Sequence, residues 1–168
     1  KESSGLDIHY TSIGSSAGTF HNVFMDSLNL DEDTIVYFLE NDYIHAPNSM
    51  NALFDGFDIG AHYVTLYDHP DKYISSYDYG EPTRVMKGNV CHWKMTISTT
   101  MTFAAKVSTL TEDKDIWIEN TGGSYPTDHQ AFTQLREKGR TLVSPIPGYS
   151  THGETAWLSP FRNWGEII

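Results

Sequence analysis

The six residues Thr34-Ile35-Val36-Tyr37-Phe38-Leu39 constrain this chain more than any other stretch. β-Branched and aromatic types dominate them and no polar face remains, which is the pattern of a strand buried on both sides. The run stops at Glu40-Asn41-Asp42-Tyr43, where two carboxylates stand two apart in an extended segment. Both can then point into one crevice toward a hard cation.

The flanking sequence supplies the rest of the architecture. Residues 7–13 read as a short strand, broken by Gly14-Ser15-Ser16-Ala17-Gly18. Phe20, Val23, Phe24 and Leu28 recur at helical spacing and predict a helix. After the buried run, Pro47 fits a first helical position, and Met50, Leu53, Phe54 and Phe57 continue the same periodicity. Residues 62–67 predict another strand, 68–88 a long irregular excursion, and 89–103 one or two strands. Residues 127–138 give the clearest helix: Thr127 and Gln130 fit a capping box, Phe132 and Leu135 face inward, and Gly139 supplies the stop. Thr141-Leu142-Val143 is a last strand. Strands alternating with helices over short links predict an α/β fold, with a mixed, partly parallel sheet flanked by helices. No repeat or composition shift divides residues 1–168, which therefore read as one domain. Ligands of open α/β sheets lie beyond the carboxyl ends of the strands, and that rule selects residues 14–18, 40–43 and 150–154.

Charge narrows the partners. The chain carries 22 Asp and Glu against 11 Lys and Arg, a formal net charge of −11. Such a field repels nucleic acid and anionic membrane surfaces. A sugar nucleotide is also anionic, and an acidic site holds one only with a divalent cation between them. Cys91 is the single cysteine and makes no internal disulfide, so no oxidising compartment is implied. No run approaches 18 apolar residues and no signal sequence opens the chain, so a soluble, cytoplasmic protein without a membrane segment is expected. The opening Lys1-Glu2-Ser3-Ser4-Gly5 has no Met, as in a chain that is processed, cut or preceded by another segment.

Each chemical motif has a bland counterpart. Acid-x-acid pairs occur three times, at Asp31/Asp33, Glu40/Asp42 and Asp113/Asp115, and about three are expected by chance from such a composition. Only Glu40/Asp42 ends a buried strand, and position singles it out. His152, in a turn before Gly153, is either a metal ligand or one of eight ordinary histidines. Asp128 opens the strongest helix, where a carboxylate offsets the helix dipole. The same placement fixes a general base in direction. The glycine-bearing segment 14–18 matches no phosphate-binding motif and reads as a turn with a helix cap. Asp68, His69 and Asp71 look like metal ligands but sit in turn-rich sequence, which favours a solvated loop. Trp93 and Trp117 offer faces that stack on sugar rings, or belong to the core. No G-x-S-x-G elbow is present, and the adjacency of Cys91 and His92 does not make a catalytic pair.

Taken in order, these pieces resemble the GT-A glycosyltransferases, especially inverting enzymes of the family 2 type. In that family a buried strand ends in a D-x-D-like motif, and residues 34–42 look like it, with Glu40 in place of the first Asp. An E-D pair then opens a helix ending in a pattern like R-L-x-x-x-G; residues 127–139 are similar, with Thr127 replacing the Glu. A later His completes the metal site, and His152 occupies that place. The resemblance runs from about residue 8 to about 154. The family's first strand, helix and second strand, which hold the nucleoside base, have no counterpart, so the likeness begins at the third strand. A second segment or a reduced donor site would make up the difference.

The resemblance implies a metal-dependent inverting glycosyltransferase with a GT-A-like, Rossmann-like domain. It would move a sugar from a nucleotide-sugar donor, a UDP-sugar by family likeness, to a glycan or other hydroxyl acceptor. Asp128 would be the catalytic base. Glu40, Asn41 and Asp42 would hold the donor, and Asp42, His152 and Glu40 a divalent Mn²⁺ or Mg²⁺. Trp93 and Tyr43 would shape the sugar sites. Two other readings fit the residues: a non-catalytic carbohydrate-binding module, which accounts equally well for ten Tyr and four Trp, and a metal-dependent phosphate-ester hydrolase. The hydrolase would need more ligands for a two-metal site.

Overall fold

The apolar run at residues 34–39 folds as strand β1 (Ile35–Phe38), at the edge of a six-stranded mixed sheet. The computed structural model describes residues 10–74, 83–123 and 125–167. Helix α1 (Ser16–Ser27) precedes β1, capped by Ser15, whose hydroxyl accepts from Gly18 N–H at 3.2 Å. The turn-and-cap reading of residues 14–18 therefore holds. Residues 10–13 form no strand, and residues 7–9 of the strand expected there lie outside the described residues.

A short strand β2 (Tyr43–His45) follows β1, then helix α2 (Ser49–Asp58) and strand β3 (Tyr63–Val64). A hairpin of β4 (Val85–Lys87) and β5 (His92–Thr96) leads to β6 (Phe103–Lys106). Helices α3 (Val107–Glu112), α4 (Lys114–Asn120) and α5 (Asp128–Glu137) come next, then β7 (Leu142–Ile146) and β8 (Ser150–His152). The sheet runs β1-β6-β3-β7-β5-β4, and β2 and β8 form a separate antiparallel ribbon. Among the described residues of the sheet only β3 and β7 pair in parallel. Strand β6 inserts antiparallel between β1 and β3, so consecutive strands of the first half are not neighbours.

Alternation along each strand splits the core into two layers. Tyr63, Phe103, Ala105 and Leu142 pack with Phe24 of α1, Trp117 of α4 and Phe132 and Leu135 of α5. Val64, Ala104 and Val143 turn the other way, onto Ala52 and Leu53 of α2 and Trp93. Strand β1 obeys the same rule: Val36 and Phe38 face the first layer, Ile35 and Tyr37 the second. Both its faces are therefore apolar as predicted, but only Phe38 is fully buried, because β6 covers one of its edges. In α2 the inward face is Ala52, Leu53, Asp55 and Gly56, while Met50 and Phe54 are exposed. Gly56 permits this: a Cβ there would clash with Val64.

Buried charge ties the layers together. Asp113, between α3 and α4, receives hydrogen bonds from Tyr63, Arg140 and Lys138. Burial alone would raise its pKa, but these donors outweigh burial and hold the carboxyl below the ordinary range. Asp55 behaves similarly: burial opposes ionisation, while the Trp93 indole and the Asn89 and Val90 backbone N–H groups more than compensate. No helix among the described residues is long and apolar enough to cross a membrane.

Candidate functional site

The chain leaving β1 turns at Glu40-Asn41-Asp42 and enters the β2–β8 ribbon, whose register sets Tyr43 opposite His152. Asp42 and His152, 110 positions apart in sequence, thereby meet at the ribbon's end, with His152 Nε2 3.1 Å from Asp42 Oδ2. The backbone locks the pair: Gly153 N–H donates to Asp42 O at 2.7 Å. A Cβ on Gly153 would come within 2.9 Å of that carbonyl, so only glycine allows this approach.

Glu40, Tyr43, His152 and Glu154, together with Tyr67, His69 and Trp157, line an open cleft of about 260 Å³, in which Tyr43 meets Tyr67 edge-on at 5.4 Å between ring centres. Glu40 also borders a groove of about 370 Å³ between α1 and β1, lined by Phe20, Val23, Phe38 and Leu39. Its carboxyl pKa is raised, mainly by burial, then by the charges of Asp42 and Asp128, with His152 acting the opposite way. The three acids therefore share one electrostatic neighbourhood. Burial likewise pushes the Tyr43 hydroxyl up.

Asp128 is the first residue of α5, as expected, but the capping box is absent. Thr127 makes no side-chain cap; its hydroxyl donates to Asn120 instead. Asp128 Oδ2 accepts from the backbone N–H of Thr99 at 3.1 Å. In the same loop, Thr100 bonds the Tyr43 hydroxyl at 2.8 Å. Thr100 and Met101 both hold positive φ, 46° and 60°, a conformation that costs energy in residues other than glycine. The pair turns Thr100 outward to the cleft and Met101 into the core. One strained loop thus joins the helix bearing Asp128 to the ribbon bearing Asp42. The sequence signalled none of this, because residues 97–102 read as part of a Thr-rich strand.

The donor set tests a metal. Asp42 and Glu40 offer oxygen and His152 nitrogen, a mixture suited to Mn²⁺ and, through the carboxylates, Mg²⁺. No group of three such ligands already converges on one point among the described residues. Glu154 N–H donates to His152 Nδ1 at 3.1 Å. The ring proton therefore sits on Nε2, the atom 3.1 Å from Asp42 Oδ2. Coordination through Nε2 requires that proton to move to Nδ1 and the Glu154 contact to open. Asp42 fits a metal as it stands, and His152 fits after that change.

Two further expectations need correction. Trp93 shapes no sugar site: it is fully buried, and its indole N–H donates to Asp55 at 2.9 Å. Trp117 is core as well. The segment around Asp68 is not a solvated loop. Asp68 is wholly buried, paired with Lys94 of β5 and bonded by the Tyr73 hydroxyl at 2.7 Å. The alternating pattern of residues 62–67 could not show that the next residue would meet a lysine from another hairpin. Asn41 lies exposed in the turn between β1 and β2. Cys91 has its thiol pushed up to about 12, by burial first and then by Asp55, which suits a packing role.

Comparison with protein-family models, with curated proteins and with solved structures finds no match for this chain.

Proposed function

We propose that the chain is a metal-dependent inverting glycosyltransferase domain whose donor diphosphate lies at the end of the β2–β8 ribbon. One observation supports this reading: of the residues chosen from sequence in three segments, Glu40 and His152 line one cleft, Asp42 pairs with His152, and the charge of Asp128 reaches Glu40. A divalent cation held by Asp42, with His152 after its tautomer change, would supply positive charge against the departing diphosphate. Glu40, between cleft and apolar groove, is placed to meet the donor ribose, with the groove beside α1 as room for a base. Asp128 keeps one carboxylate oxygen on Thr99 N–H and leaves the other for the acceptor. In the transfer, the acceptor oxygen bonds the anomeric carbon as the carbon–phosphate-oxygen bond breaks. The acceptor proton passes to Asp128, and the nucleoside diphosphate leaves with the bonding pair.

A second reading, a carbohydrate-binding module, is favoured by the aromatic wall of Tyr43, Tyr67 and Trp157, which needs neither metal nor base. Calorimetry with UDP and Mn²⁺ separates the two. The transferase reading expects each to strengthen binding of the other, and Asp42→Ala to abolish that coupling while far-UV dichroism stays unchanged. Absence of any UDP–Mn²⁺ coupling in the wild type removes the transferase reading.

A further inference from the structure

Strand β1 leaves one of its two edges open. Among the described residues only β6 pairs with it, setting Val36 opposite Ala105 and Phe38 opposite Phe103. Val107 N–H donates to Thr34 O at 2.9 Å, which fixes the phase of the ladder. Bonded and non-bonded pairs alternate along an antiparallel ladder, so Val36 and Phe38 also direct their backbone groups to β6. Ile35 and Tyr37 point their N–H and C=O groups the other way. None of these four groups has a backbone partner among the described residues.

Edge strands are normally blunted by charge, Pro or a bulge. The far edge of the sheet follows that rule, since β4 carries Lys87 and is preceded by Arg84. Strand β1 does not. Its residues are Ile, Val, Tyr and Phe, and the apolar surface continues onto Leu39, 47% exposed, and Val23 of α1, 49% exposed. Both side chains border the groove between α1 and β1. A strand added here would gain backbone bonds along its edge and apolar contacts on its side chains.

Charge at the two ends selects that strand. Asp31, Glu32 and Asp33 precede the apolar run, Glu40 and Asp42 follow it, and all five are exposed. Lys106 approaches Asp33 at a long 3.7 Å and leaves its side chain 98% exposed. A second copy is disfavoured, because β1 against β1, parallel or antiparallel, sets acids against acids at both ends. A segment with basic ends is favoured by the same charges. At about 3.3 Å per residue, Asp33 and Glu40 stand about 23 Å apart along the strand, so about six residues should separate those ends.

We propose that the open edge of β1 is a docking site for an extended segment of another polypeptide, about six apolar or β-branched residues long with Lys or Arg at each end, which joins the sheet through Ile35 and Tyr37. The proposal is independent of the transferase reading.

Amide exchange followed by NMR tests the edge on the intact chain. In the free protein the Ile35 and Tyr37 N–H groups should exchange fast, while those of Val36 and Phe38 are protected. The probe is a synthetic peptide of alternating Val and Thr with two lysines at each end, added in metal-free buffer. It should bind saturably and slow exchange at Ile35 and Tyr37 at least about tenfold. The same peptide ending in glutamates should bind at least about tenfold more weakly, as should a lysine-ended peptide N-methylated throughout its central residues. Ile35→Pro removes an outward N–H without touching a bond to β6, and should weaken the lysine-ended peptide about tenfold with far-UV dichroism unchanged. If that variant fails to fold, the N-methylated peptide reads the same bonds on the wild-type chain. Protected Ile35 and Tyr37 amides in the free protein overturn the proposal, because the edge is then already filled, by a second copy if protection rises with concentration. Full affinity in folded Ile35→Pro, equal binding of the glutamate-ended or N-methylated peptide, or no saturable binding overturns it as well.

Discussion

Asp128 serves two neighbours, the first turn of α5 and the backbone of Thr99. A purely structural Asp128 and a catalytic one predict different outcomes for Asp128→Asn. The amide oxygen can still accept from Thr99, so the loop keeps its place; only the charge is lost. As a dipole partner alone, the change costs about 0.3–1 kcal/mol and leaves turnover nearly intact. As the base, it lowers transfer by about 10²–10⁴ while UDP–Mn²⁺ affinity holds, because those contacts lie on the ribbon. Calorimetry paired with transfer rate reads both numbers from one preparation. Equal turnover in the two proteins ends the assignment of Asp128 as base. The positions of Asp42, just past β1, and of Asp128, opening α5, were legible because a strand end and a helix start are local patterns. Trp93 misled because an indole has the same face for a sugar as for a core, and its partner, Asp55, lies on α2.

At the scale of elements, Asp113 is where α3, α4, β3 and the end of α5 are joined. Its native pKa lies below the unfolded value, so its contribution to stability is full above the unfolded carboxylate range. That contribution fades as pH falls through the native pKa. The wild-type melting temperature should therefore decline below about pH 4. Asp113→Asn should flatten that decline and, at pH 7, leave Arg140 and Lys138 facing a neutral group. The cost should be about 3 kcal/mol, or roughly 6–12 °C for a domain of this size. A thermal melt series across pH 3–7 gives both; an unchanged melting temperature at pH 7 would show that the network is not stabilising. The main helices α1, α2 and α5 were readable because their periodicity is local. Strand β2 was not, since three residues make a strand only when β8 arrives from the far end of the chain. The edge position of β1 was hidden for the same reason: β6, its partner, lies about 65 residues downstream and pairs Phe38 with Phe103.

Over the whole molecule, the charge of −11 acts on anything that approaches. Most nucleotide-binding proteins attract their ligand over long range and lose association rate as salt rises. Here the field opposes a nucleotide sugar, and screening should help. Between about 0.01 M and 0.15 M salt the Debye length shrinks from about 30 Å to about 8 Å. The association rate of a UDP-sugar with Mn²⁺-loaded protein should therefore increase over that range. Stopped-flow fluorescence can follow it through Trp157 in the cleft, and a rate that falls with salt would contradict this sign. The ribbon has a different kind of consequence. Its two chemical groups are brought together by a cross-strand register, with Tyr43 opposite His152, so what must be preserved is parity. Inserting one residue between Asp42 and Tyr43 would retain every functional side chain and still send the carboxylate to the opposite face from its histidine. Sequences related to this one can therefore tolerate substitutions beside Asp42 far more readily than a single-residue insertion or deletion, and length changes there should come in twos.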